Sequence, residues 1–216
     1  MKEMEQIFRL LGEWRKLPKY QLERRLDIFF ALYLPQILKE KIGEFSYDDI
    51  IPELPLKKHN PKNNSSNNAD YAVFHEENNK VKLYLIELKT DINSIFDENQ
   101  VEYYKNNTNF EIILEGITEI QKNTKGIYKT KYNALLEKLQ KYGIVRKSQD
   151  EKTWERTENE VHAEVEIIYI VPERNAKIDE VLGKFDIITF EKIIEILGDN
   201  VISTEFKKLL RNIIGE

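Results

Sequence analysis

The segment Val81-Lys-Leu-Tyr-Leu-Ile-Glu87-Leu-Lys89-Thr-Asp91 constrains this chain more than any other. Residues Leu83 to Ile86 are apolar at successive positions. That pattern predicts a strand covered on both faces, hence a central one. Side chains two apart share a strand face, so Glu87 and Lys89 fall on the face of Leu83 and Leu85. Burying a charge is costly unless it is paired or bound to a metal. Either the strand has emerged into solvent at Glu87, or a site is built around the two charges.

The residues before this strand sharpen the choice. Tyr71–His75 reads as a second strand, and Asn78-Asn79 as a two-residue turn, because Asn tolerates positive φ. That turn sets Glu77 opposite Lys80, Phe74 opposite Leu83, Ala72 opposite Leu85 and Asp70 opposite Glu87. Directly opposite residues share a face, with Cβ atoms about 5 Å apart. The register therefore gathers Asp70, Glu87 and Lys89. Two adjacent carboxylates repel, and a divalent cation with oxygen ligands relieves that repulsion. The bland alternative is a surface Glu-Lys pair and an Asp that closes a polar loop.

The rest of the 216-residue chain predicts an α/β domain with a mixed sheet flanked by helices. Helices are expected at 3–15, at about 20–40 with a kink or early end at Pro35, and at 94–106, 110–122 and 129–142. Further short helices are expected at 179–182, 191–197 and 203–214. Ile50–Leu56 reads as a short strand that Pro52 and Pro55 confine to an edge or an irregular run. Val165–Val171 and Phe185–Phe190 are the later strands. His59–Asn68 is rich in turn formers and reads as a mobile loop, and Lys147–Asn159 as a loop or excursion. No βαβ alternation is apparent, and neither glycine-rich phosphate-loop pattern occurs, which argues against a doubly wound nucleotide fold. The absence of cysteine excludes disulfide scaffolds and thiol catalysis. No apolar run is long enough to span a membrane, so a cytoplasmic protein is expected.

The residues Asn68-Ala-Asp70-Tyr-Ala-Val-Phe74 and Tyr84-Leu-Ile-Glu87-Leu-Lys89-Thr-Asp91, followed by Ser94, Gln100 and Tyr104, resemble the PD-(D/E)XK nuclease superfamily. Asn-Ala-Asp stands where the name-giving Pro-Asp would be. The resemblance covers roughly residues 20–106 and implies a restriction-endonuclease-like core. That core would be completed by the strand at about 165–171 within a single domain spanning 1–216, and a helical C-terminal half would elaborate it. It further implies that Asp70 and Glu87 hold Mg²⁺ or Mn²⁺ and that Lys89 assists the attacking water. Many members add a Glu from the first core helix. Glu23 is the candidate for that role, with Asp27 the runner-up. Glu53 is a further possible ligand. Gln100 is expected to line the site, and Tyr104, on the same helix face, to line it or to pack in the core. Ser94 with Asp97 reads as a helix N-cap and its partner.

The implied activity is metal-dependent cleavage of DNA. Although the chain carries a net charge of −5, residues 122–147 hold eight cations against one acid, Glu137, with Tyr128, Tyr132 and Tyr142 interleaved. Such a face suits phosphate contacts and base stacking. It equally suits the solvated side of an amphipathic helix. Residues 150–166 are strongly acidic and would repel nucleic acid. His59, His75 and His162 lack ligand spacing, and Trp14 and Trp154 sit in polar contexts where partial burial is expected. A homodimer is plausible for cutting two strands. The competing reading is a degenerate, non-catalytic member that binds nucleic acid or protein.

Overall fold

The computed structural model describes residues 2–57, 66–77, 80–96, 98–106, 109–148, 153–157 and 164–215. In chain order its elements begin with α1 (Lys2–Trp14), α2 (Glu23–Ile37), α3 (Lys39–Ile42), β1 (Ile50–Lys57), β2 (Ser66–Glu77) and β3 (Lys80–Leu88). Three helices follow, α4 (Glu98–Asn106), α5 (Phe110–Asn123) and α6 (Ile127–Gln140). The chain ends with β4 (Val145–Lys147), β5 (Trp154–Arg156), β6 (Glu164–Val171), α7 (Ala176–Leu182), β7 (Asp186–Thr189), α8 (Phe190–Ile196) and α9 (Val201–Ile214). Five strands form one sheet in the order β1-β2-β3-β6-β7, and β4 pairs with β5 separately. The sheet is mixed, since β1 and β2 run antiparallel while β6 and β7 run parallel. The architecture is α/β, with helices flanking the sheet.

The doubly apolar run does form the middle strand. Leu83, Tyr84, Leu85, Ile86 and Leu88 are all buried. β1, with its two prolines, takes the edge, where a missing N–H breaks no ladder bond. The strand is irregular as expected. Pro52 pairs with Tyr71 and Leu54 with Ala69, while Glu53 between them has φ +52°.

Several expectations need correction. Residues 66–68 are not loop. They extend β2, because Asn68, Asn67 and Ser66 pair with Pro55, Leu56 and Lys57. The rest of the expected loop, 59–65, lies outside the described residues, as do Asn78 and Asn79. One βαβ unit is present after all, since β6 and β7 are parallel with α7 between them. The sequence shows strand, short helix and strand here, and only the parallel pairing of β6 with β7 makes them a βαβ unit. Within 147–159, Lys147 and Trp154 pair across the β4–β5 ribbon. Trp154 is buried, and its indole N–H donates to Asn133. The early end expected at Pro35 is present, since Pro35 sits in the last turn of α2, which ends two residues later at Ile37. Ser94 does not cap α4. It lies in a 3-10 turn, Ile92–Phe96, and its hydroxyl donates to the Asp91 carbonyl.

The chain divides into two compact units, each built from several stretches of sequence. The first comprises Met1–Asp48, Ile86–Tyr103 and Ile167–Glu216. Its core centres on Phe206 of α9, whose ring stacks on Tyr33 at 5.8 Å and meets Phe30 edge-on at 5.1 Å and Phe8 at 6.2 Å. Asn200 and Ser203 form a reciprocal capping box that starts α9. The second unit comprises Asp49–Leu85 and Tyr104–Glu166. There Phe74 stacks on Tyr142 at 5.1 Å and meets Phe110 edge-on. The Tyr142 hydroxyl donates to Asp49. Among the described residues no helix is long and apolar enough to cross a membrane.

Phe206 is fully buried amid four aromatic partners. Phe206→Ala should cost about 3–5 kcal/mol of stability. A denaturant titration checks this, with a lowered midpoint expected.

Candidate functional site

The site begins where β3 ends. Glu87 is its next-to-last residue, and Lys89 follows immediately beyond it. Both are buried, at 2% and 7% exposure, so the strand has not emerged into solvent at this point. The Lys89 ammonium donates to Glu87 Oε1 at 2.7 Å. Gln100, half-buried on α4, donates its amide to the same oxygen at 2.6 Å. The backbone N–H of Lys89 donates to the Ile170 carbonyl of β6 at 2.8 Å. This bond fixes the lysine's main chain at the strand end, and the carboxylate fixes its head.

Glu23 joins this group from the first turn of α2. It is half-buried. Burial pushes its carboxyl above the ordinary carboxylate pKa, and the nearby Glu87 charge pushes the same way. Lys89, the backbone N–H of Thr90 and Arg24 pull it back in smaller measure. Of the two acids weighed on α2, Glu23 is the one beside Glu87 and Lys89. Asp27 is exposed, and its carboxylate accepts from the N–H of Ile28.

Asp70 lies on β2, half-buried, in the second unit. Counting along the β1–β2 ladder sets it across from Glu53, which is exposed and accepts from the Asn68 amide at 3.0 Å. Its expected partnership with Glu87 rests on the turn at Asn78-Asn79, outside the described residues. Tyr104 is core, at 1% exposure. Asp97, the expected partner of Ser94, also lies outside the described residues.

The basic stretch 122–147 is only partly a free surface. Tyr142 is committed to Phe74 and Asp49, and Lys138 reaches the Ile50 carbonyl. Lys147 pairs with Glu137 and Arg146 with Glu155. Tyr128 is 64% exposed, with the Lys131 ammonium over its ring. His59 and His162, the cations Lys58 and Lys62, and the acids Asp150, Glu151, Glu158 and Glu160 are outside the described residues.

An open cleft of about 770 Å³ adjoins Glu23 in the first unit. Its lining includes Arg15, Tyr20, Arg24, Asp91, Asn93 and Ser94. Sequence reading overlooked this feature, because the residues come from four separate segments with no shared motif.

Among the described residues, no group of three or more His, Cys, Asp or Glu side chains is gathered to hold a metal ion. Mg²⁺, however, is commonly held by one or two carboxylates, with water and substrate phosphate completing its octahedron. Glu23 and Glu87, two mutually repelling oxygen donors, fit that requirement. Compared with known proteins, the chain matches no family model, no curated protein and no solved structure.

Two tests follow from this geometry. Lys89→Ala leaves Glu87 buried beside another acid, and should cost about 3–5 kcal/mol, whereas Glu87→Gln with Lys89→Met should recover most of that loss. Chemical denaturation of the single and double variants checks it. The second test concerns Glu23. A folded-state pKa above the unfolded one favours folding below the unfolded value of about 4.5, and that advantage is lost as pH rises through the folded pKa. Glu23→Gln should therefore gain stability relative to wild type at pH 7 but not at pH 4. Thermal melts at the two pH values read the difference.

Proposed function

We propose that this protein is a divalent-metal-dependent phosphodiesterase that cleaves DNA. The observation that carries the reading is the buried Glu87–Lys89 pair at the end of the central strand, with Glu23 and Gln100 converging on it. Structural ion pairs are rarely placed in a core without need, because desolvation offsets much of their attraction. A lysine beside two carboxylates suits phosphate-ester hydrolysis, where negative charge grows on the phosphoryl oxygens. We take the five-stranded sheet as the restriction-endonuclease-like core that the motif implies.

In this mechanism Glu23 and Glu87 would hold Mg²⁺ or Mn²⁺, and Asp70 keeps the ligand role that the resemblance alone implies. The cation, when bound, lowers the pKa of water and offsets oxyanion charge. The chain's own residues do the rest. Lys89, held by Glu87, presents fixed positive charge to the scissile phosphate and orients the attacking water. Gln100 holds the Glu87 carboxylate in one rotamer. Glu23, whose carboxyl is raised above the ordinary carboxylate pKa by burial, would bind the cation in its ionised form. Cation affinity should accordingly fall in acid. We assign the protein to the cytoplasm, with a homodimer as the form that cuts both strands. The second reading is a non-catalytic module that binds nucleic acid or protein, in which Glu87 and Lys89 serve only as a buried ion pair.

Incubation with circular and linear DNA in Mn²⁺, Mg²⁺ or EDTA decides between them. The wild type should cut with either metal and not with EDTA. Asp70→Ala, Glu23→Gln and Lys89→Met should each lose about a hundredfold or more in rate. The metals should also raise the melting temperature of the wild type more than that of Glu23→Gln. A folded protein that neither cuts nor responds to metal belongs to the second reading.

A further inference from the structure

The connection from α1 into α2 has a composition unlike the rest of this acidic chain. Residues 14–25, Trp-Arg-Lys-Leu-Pro-Lys-Tyr-Gln-Leu-Glu-Arg-Arg, hold five cations and one acid, Glu23, with two aromatics among them. Lys16, Lys19, Arg24 and Arg25 are exposed, and among the described residues none of them forms a salt bridge. Elsewhere in the same unit, Lys39, Lys41, Lys192 and Lys207 each face a carboxylate. Cations clustered in one stretch, of which Arg24 also acts on Glu23, form an attractive field for an anionic partner.

The aromatics and the cleft specify that partner further. Trp14 is 45% exposed and meets Tyr20 edge-on, with ring centroids 6.2 Å apart. Leu17 between them is 56% exposed. Tyr20 and Arg24 line the cleft beside Glu23, together with Gln21, Asn93 and Ser94. Arg15 also lines it, and its guanidinium is anchored to the Asn212 carbonyl. Cations that follow a backbone, rings on which bases stack, and amide and hydroxyl groups that meet base edges are the components of a single-strand binding groove. A lipid surface would use the cations and the apolar side chains, but not the amides of a cleft.

We propose that residues 14–25, with the cleft they border, bind an unpaired nucleic-acid strand and lead it to Glu23. The inference rests on the phosphodiesterase reading and adds to it a substrate class, single-stranded or splayed DNA or RNA. The strand's phosphates lie along Lys16, Lys19, Arg24 and Arg25. A base stacks on the Trp14–Tyr20 pair, and the next nucleotide enters the cleft.

The test is a fluorescence-anisotropy titration of the full chain in EDTA, where nothing is cut. The probes are a labelled oligo-dT, a duplex of equal length, and vesicles containing anionic lipid. The wild type should bind oligo-dT at least several-fold tighter than duplex. Tyr20→Ala should weaken oligo-dT binding by about tenfold, the usual cost of one lost stacked base, and Tyr20→Phe should restore it. Lys16→Gln with Arg24→Gln should lower the slope of log affinity against log salt by about 1.4, for two lost contacts to a single strand. The same neutralisation at Lys129 and Lys131 of α6 should change the slope by less. Circular dichroism confirms that each variant is folded. Preference for duplex or for vesicles, an unchanged slope in the Lys16–Arg24 variant, or the larger loss in the α6 variant overturns the proposal. Failure of the two readings is distinguishable. Cutting by wild type with no oligonucleotide effect from the 14–25 variants removes only the track. Oligonucleotide binding lost in those variants, without cutting in any metal, removes only the hydrolytic reading.

Discussion

The interaction on which the site depends is the buried contact between Lys89 and Glu87. An ion removed from water costs several kcal/mol even after relaxation, so each partner is tolerated in the core only because the other is there. That mutual dependence sets the surroundings. The carboxylate oxygen that takes the ammonium also takes the Gln100 amide, and the lysine's backbone is bonded to Ile170. The pair thus draws together the end of β3, the first turn of α4 and a residue of β6. All three belong to one compact unit.

Glu23 converts this pair into something chemically useful. A lone Glu–Lys contact is neutral and inert. A second carboxylate, held near it in a partly dry setting, leaves the group with surplus negative charge and a carboxyl reluctant to ionise. Glu23 can take this place because α2 is rigidly seated. Leu26, Phe30 and Leu34 are fully buried along one face of the helix, and its rings share the Phe206 cluster. The packing of α2, far from any polar chemistry, positions the acid in its first turn.

Legibility in the sequence varied with the range of the signal. The central strand was legible from Leu83–Ile86 because burial on both faces leaves an unbroken apolar run. The edge position of β1 was legible from its prolines. The length of β2 was not, since Ser66, Asn67 and Asn68 have turn-forming side chains and become strand only through backbone pairing with β1. Glu87, Lys89 and Gln100 were legible as a group, from strand and helix spacing and a resemblance. The choice of Glu23 over Asp27 was not decidable from period alone, because the two lie one helical turn apart. Tyr142 looked like a surface aromatic among lysines, yet its ring is packed on Phe74.

The sequence by itself determined which strand is central, that two charges share one face at its end, and that no cysteine or glycine-rich phosphate loop takes part. These follow from residue type and short-range spacing. Only the tertiary structure decided which acid of α2 stands beside the pair, that Tyr104 belongs to the core, that Tyr142 packs on Phe74, and that residues 14–25 border a cleft next to Glu23. Those outcomes depend on contacts between segments far apart in the chain. No local pattern encodes them, because each is settled by where helices and strands come to rest against one another.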